Sequence, residues 1–101
     1  MSKVAVMGTF TCRDGRTDEM EAVLTTMVEA ASDEPGVEVY SYHRGDDNAF
    51  WFFALMADAT SMERHGQSEA MQAAMSAFGA LVVEPPQVSV TTPVAALGLD
   101  V

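Results

Sequence analysis

The chain has 101 residues, 49% hydrophobic and 20% charged, which suits one folded domain and leaves no room for a second core. Fifteen acidic residues against 5 Lys and Arg give a net charge of −10, which repels a nucleic-acid backbone or an anionic membrane surface and argues against both as partners. No apolar run approaches the roughly 20 residues that span a bilayer, and MSKVAVMGTF lacks the apolar core and cleavage site of a signal peptide, so a soluble cytoplasmic protein is expected.

In chain order, Lys3 to Cys12 alternate with period two, placing Val4, Val6, Gly8, Phe10 and Cys12 on one face of a strand and Ala5, Met7, Thr9 and Thr11 on the other. Arg13 to Arg16 form a turn. Thr17 is the expected N-cap of a helix whose first turn carries Asp18, Glu19 and Glu21, where the helix dipole favours negative charge. Met20, Val23, Leu24, Met27, Val28 and Ala31 then recur at the spacing of one helical face. Pro35-Gly36 ends that helix. Val37 to His43 reads as a second strand, with Glu38, Tyr40 and Tyr42 on one face and Val37, Val39, Ser41 and His43 on the other. Gly45-Asp46-Asp47-Asn48 tolerates positive φ and should return the chain as an antiparallel hairpin.

The third strand, Ala49 to Ala57, runs AFWFFALMA with no polar residue. A half-solvated sheet would alternate apolar with polar, so this strand is expected to be covered on both faces. A chain this short has helix enough for one face, and a second copy of the chain is the expected cover for the other. Asp58, Thr60 and Ser61 are capping types before a short helix at Ser61 to His65, broken near Gly66. Ser68 can cap a longer helix with Met71, Ala74, Met75, Phe78 and Leu81 or Val82 on its inner face. Pro85-Pro86 leads into a last strand, Gln87 to Thr92. The order β-α-β-β-α-β predicts a ferredoxin-like α+β domain with a four-stranded antiparallel sheet over residues 1–94, followed by a tail at 95–101.

Cys12 has no disulfide partner, and His43 and His65 form no metal-binding spacing, so no metal is expected. Tyr40 and Tyr42 share a strand face, so their hydroxyls can meet a ligand together or serve packing alone. Trp51 and Phe53 alternate with Phe50 and Phe52, and one pair must face the helices, although periodicity does not say which. Eight methionines are many for this length; Met7, Met56, Met71 and Met75 can line a deformable cavity, while helical spacing explains Met71 and Met75 equally as core.

The segments SDEPGVEVYSYHR and DATSMERHGQSEAMQAAMSAFGALVVEPPQVSVTTPV carry a resemblance over Val4 to Val94. In their order and spacing, Glu34-Pro35-Gly36 before the second strand, and Asp58 with His65 seven residues later, the chain resembles the antibiotic biosynthesis monooxygenase family of dimeric α/β-barrel proteins, which includes quinol oxygenases that use no cofactor. That resemblance implies a homodimer joined sheet to sheet, an aromatic substrate, O₂ as co-substrate and no cofactor. It places His65 near the pocket mouth, where an imidazole of ordinary pKa ~6.5 can accept a proton; the alternative is a histidine that only bonds a helix end or packs beneath a loop. His43 reads as a surface or dimer-edge residue. The substrate-binding candidates are Tyr40, Tyr42, Trp51, Phe53, Met56, Met71, Met75 and Phe78. Many members carry a Glu and a Trp where this chain has Ala54 and Met56, which implies a rival function as a dimeric ligand-binding or sensing module. The haem-degrading branch needs residues at positions near Gly8, His65 and Met75 that this chain does not have.

Overall fold

Local sequence accounts for most element boundaries. The computed structural model describes residues 3–65 and 67–99. It contains β1 (Val4–Thr11), α1 (Thr17–Ala31), β2 (Val37–Arg44), β3 (Ala49–Met56), α2 (Ala59–Arg64), α3 (Glu69–Leu81) and β4 (Gln87–Thr91). The strands form one antiparallel sheet in the order β2-β3-β1-β4, so the fold is ferredoxin-like α+β. The wholly apolar β3 lies inside the sheet, where both of its edges are hydrogen-bonded.

The helices lie on one face of that sheet. Phe10 of β1, Cys12 just beyond it and Phe50 of β3 join Met20, Leu24 and Met27 of α1 with Met71, Ala74 and Leu81 of α3 in a single core. Phe10 is its hub: its ring stacks on Phe50 at 5.5 Å and meets Phe78 edge-on at 4.8 Å. Gly8 permits a close approach here, because a Cβ at that position would lie 2.7 Å from the Phe52 ring and 2.4 Å from the Gln87 carbonyl. The β2–β3 hairpin turns through Asp47 and Asn48, both at positive φ, as their residue types predict.

Helix starts divide into two kinds. Asp58 Oδ1 accepts from the Ser61 N–H, and Ser68 Oγ accepts from the Met71 N–H, so both caps use side chains. For α1 the expectation is corrected: Arg16 is the N-cap, without a side-chain cap bond, and Thr17 is already helical. The Thr17 hydroxyl instead accepts from Arg44 Nη2 at 3.0 Å, and that tertiary bond wins over local capping. The short helix α2 also begins two residues earlier than Ser61, at Ala59, because Asp58 is its cap. The break expected near Gly66 lies outside the described residues.

Gly36 joins α2 to the sheet. Its φ of +88° turns the chain into β2, its carbonyl accepts from the Ala57 N–H, and the Ser61 side chain occupies the space where a Cβ would sit. Across the sheet, the second face of β3 carries Trp51, Phe53 and Leu55. Trp51 is 49% and Met7 is 40% exposed there, while Leu55 and Ala5 are buried. Beyond β4, Val94 and Leu97 project into solvent. Among the described residues no helix is long and apolar enough to cross a membrane.

Candidate active site

Between the helix-covered face of the sheet and the helices lies a cavity of about 300 Å³. Its polar side chains come from two places in the chain. Tyr40 and Tyr42, two residues apart in β2, necessarily point the same way. Their hydroxyls lie 2.6 Å apart, one donating to the other. Burial pushes both phenols above the ordinary tyrosine range, and for Tyr42 the neighbouring phenol adds to the rise. Both therefore stay protonated near neutral pH.

His65 follows α2 directly and lines the same cavity. Its ring meets Tyr40 edge-on at 5.0 Å. Its Nδ1 lies 2.7 Å from Glu34 Oε2, with side chains 22% and 14% exposed respectively. Glu34 precedes Pro35-Gly36 at the entrance to β2, and the Gly36–Ser61 contact that seats α2 on the sheet also brings these two side chains together. The His65 side chain thus engages a carboxylate and the cavity, not a helix end.

The remaining walls are carbon and sulfur. Phe52 and Ala54 form part of the floor, and Met56, Met62, Met75 and Phe78 close around it. An apolar cavity with a few convergent polar groups is the usual form of a small-molecule site. The flexible thioethers of Met56, Met62 and Met75 let such walls adapt to flat ligands. A second groove, of about 370 Å³ between α1 and β2, lacks this character: its Glu21 and Arg44 side chains pair with each other.

Of the candidates read from sequence, the structure brings Tyr40, Tyr42, Met56, His65, Met75 and Phe78 together around the cavity. It does not bring Trp51, Phe53 or Met71. Trp51 and Phe53 lie one residue out of phase with Phe52 and so fall on the opposite face of the sheet; Met71 is wholly buried in the core beneath α3. Met7 also lies on the opposite face, where it pairs with Phe53. His43 is exposed on that face and contacts Ser41 Oγ through Nε2. Sequence reading did not single out Glu34, Met62 or Phe52 for the site. Glu34 carried one signal, a carboxylate fixed next to a Pro-Gly turn. Among the described residues no group of three or more His, Cys, Asp or Glu side chains could hold a metal ion.

A family model for antibiotic biosynthesis monooxygenase matches residues 3–77, and the chain belongs to that family. Solved structures share the fold. Rv0793 from Mycobacterium tuberculosis superposes with a TM-score of 0.84 at 23% identity, over 94% of this chain and 98% of that one. SnoaB from Streptomyces nogalater, described as a cofactor-independent oxygenase, gives 0.84 at 20% identity over 98% of this chain and all of that one. PA3566 from Pseudomonas aeruginosa gives 0.82 at 20% identity over 94% and 97%. No curated protein matches the chain by sequence.

Proposed function

We propose that the protein is a cofactor-independent monooxygenase that oxidises a phenol, quinol or related polycyclic aromatic with O₂ in the cavity beside His65. The observation that carries this reading is a histidine held by a carboxylate at the polar end of an otherwise apolar cavity. Family membership and the likeness to SnoaB support it.

The chemistry asked of the chain is limited. His65 takes the phenolic proton, the resulting phenolate passes an electron to O₂, the phenoxyl radical and superoxide combine to form a carbon–oxygen bond at an unsubstituted ring carbon, and the peroxide anion so formed takes the proton back from His65 to give a hydroperoxide. Loss of water from that hydroperoxide leaves a quinone. One oxygen atom enters the product and the other leaves as water, so the substrate supplies all four electrons and no further reductant is needed. The apolar walls hold the ring and exclude water from the radical pair.

Oxygen uptake with a panel of naphthols and hydroquinones, without added metal or flavin, tests this reading. His65→Ala should slow turnover by about 10²-fold or more, the usual contribution of a general base. No turnover across the panel, or turnover untouched by that substitution, would overturn it. The rival is a ligand-binding or sensing module, favoured by Ala54 and Met56, which put no polar group into their part of the wall. It predicts ligand-dependent thermal stabilisation without product.

The protein is further proposed to work as a homodimer, with a second copy covering the sheet face that carries Trp51 and Met7. Half-exposed large apolar side chains at the centre of a sheet support this. In the same reading residues 95–101 form a tail outside the domain, its last two residues lying beyond those described.

A further inference from the structure

Counting the hydrogen-bond capacity left over at the polar end of the cavity defines the ligand edge it can satisfy. A carboxylate accepts hydrogen bonds and cannot donate them, so the 2.7 Å contact to Glu34 puts a proton on His65 Nδ1, and on the neutral ring this leaves Nε2 with a lone pair. The two tyrosine hydroxyls hold two protons between them. One is used in their 2.6 Å hydrogen bond, and one is left to donate outward. These groups stand together, since the Tyr40 ring packs edge-on against the imidazole. Elsewhere the side chains around the cavity are apolar, so a ligand oxygen set against them would lose its water without gaining a partner.

We infer that Glu34 is a positioning residue that holds His65 in the Nδ1–H tautomer, so that the cavity selects an aromatic ligand carrying a hydroxyl beside a second oxygen. The hydroxyl donates to His65 Nε2, and the neighbouring oxygen accepts from the tyrosine pair. This rests on the cavity being the substrate site, but not on turnover. The position of an imidazole proton is set by the bond its other nitrogen makes. Without the Glu34 carboxylate that constraint is gone, and Nε2–H, the form favoured by an imidazole in water, replaces an acceptor with a donor.

Two measurements test it. Nitrogen–proton correlation spectra of the histidine side chains, recorded on the neutral ring, should show His65 protonated at Nδ1 in the wild type and at Nε2 in Glu34→Leu. His43 is the only other histidine, and His43→Gln assigns the signals. Calorimetric titration under argon, where no turnover occurs, should show 2,3-dihydroxynaphthalene binding about tenfold more tightly than its 2,6 isomer, the discrimination expected when a buried polar pair is left unsatisfied. Glu34→Leu should reduce that preference to within about twofold. Nε2–H in the wild type, equal binding of the two isomers, or a preference that survives in folded Glu34→Leu would each overturn the inference. The first two are read on the unmodified protein, so they decide even if the variant does not fold. Both expected results with no oxygen uptake would uphold the inference and count against the monooxygenase reading alone.

Discussion

Replacing Gly36 by Ala should destabilise the protein and loosen the site together. At φ +88° an L residue carries a penalty of about 1–2 kcal/mol. The new methyl group would also lie 2.0 Å from Ser61 Oγ and 2.6 Å from Ser61 Cβ. Rotating Ser61 cannot clear it, because the Cβ itself is in the way. Ser61 must move, and its hydroxyl then loses the 2.9 Å bond to Asp58 Oδ1, a further loss of about 1 kcal/mol. The sum is about 2–3 kcal/mol, which for a domain of this size lowers Tm by roughly 10–20 °C. Differential scanning calorimetry reads the change. In the double variant Gly36→Ala/Ser61→Gly the backbone penalty remains and the Ser61 hydroxyl is absent, so the bond to Asp58 stays lost and a Gly inside α2 adds about 0.5–1 kcal/mol; stability should not return. A Tm drop below about 4 °C, or a double variant more stable than Gly36→Ala, would refute the reasoning. Since the same contact seats His65 beside Glu34, the single variant should also weaken ligand binding.

Three further outcomes follow from separate parts of the molecule. The chain has only two tyrosines, and both are raised by burial, so tyrosinate absorbance should not appear in the folded protein at about pH 10–11. The associated stability is present below the unfolded phenol pKa and is lost as pH rises toward the folded values; absorbance that develops before unfolding would contradict the buried pair. The Asp58 carboxyl is held below its usual value of 3.8, first by the Ser61 N–H and then by the Ser61 hydroxyl. Its contribution is therefore present above that value and lost as pH falls through the folded pKa, and the urea-midpoint difference between wild type and Asp58→Ala should shrink below about pH 4. A difference independent of pH would show that the cap does not depend on ionisation. Trp51 is the only tryptophan and is 49% exposed on the protomer's open sheet face. Under the proposed dimer its emission should shift to the red on dilution in step with a halving of mass by analytical ultracentrifugation; a concentration-independent monomer would remove that proposal.

Much of the architecture follows from periodicity. The period-two runs at Val4 to Cys12 and Ala49 to Ala57 and the helical ridge from Met20 to Ala31 each reflect short-range geometry that a linear chain carries openly. The facing of Tyr40 and Tyr42 toward one cavity is of the same kind, because side chains two apart on a strand share a face whatever surrounds it. Where a residue's role depended on what approached from elsewhere, local reading failed. Thr17 had the chemistry of a cap but was taken by Arg44, which is 27 residues away. Met71 and Met75 both suit an inner helical face, yet Met71 is wholly buried in the core and Met75 stands half-exposed beside the cavity. The alternation of β3 separated Phe50 and Phe52 from Trp51 and Phe53 without naming the inner pair, because a strand apolar on both faces is symmetrical in pattern.

The site shows the same division. A histidine that can take a proton, a tyrosine pair on one face and a supply of methionine were all present in the linear order. The Glu34–His65 pair was not, because its members are 31 residues apart on two loops that meet only when Ser61 packs against Gly36. Sequence alone determined the strands, the helices and the chemical groups on offer, since those depend on neighbours along the chain. Tertiary structure alone decided which groups meet, because a hydrogen bond requires atoms within about 3 Å and only the folded backbone sets distances on that scale between residues far apart in the chain.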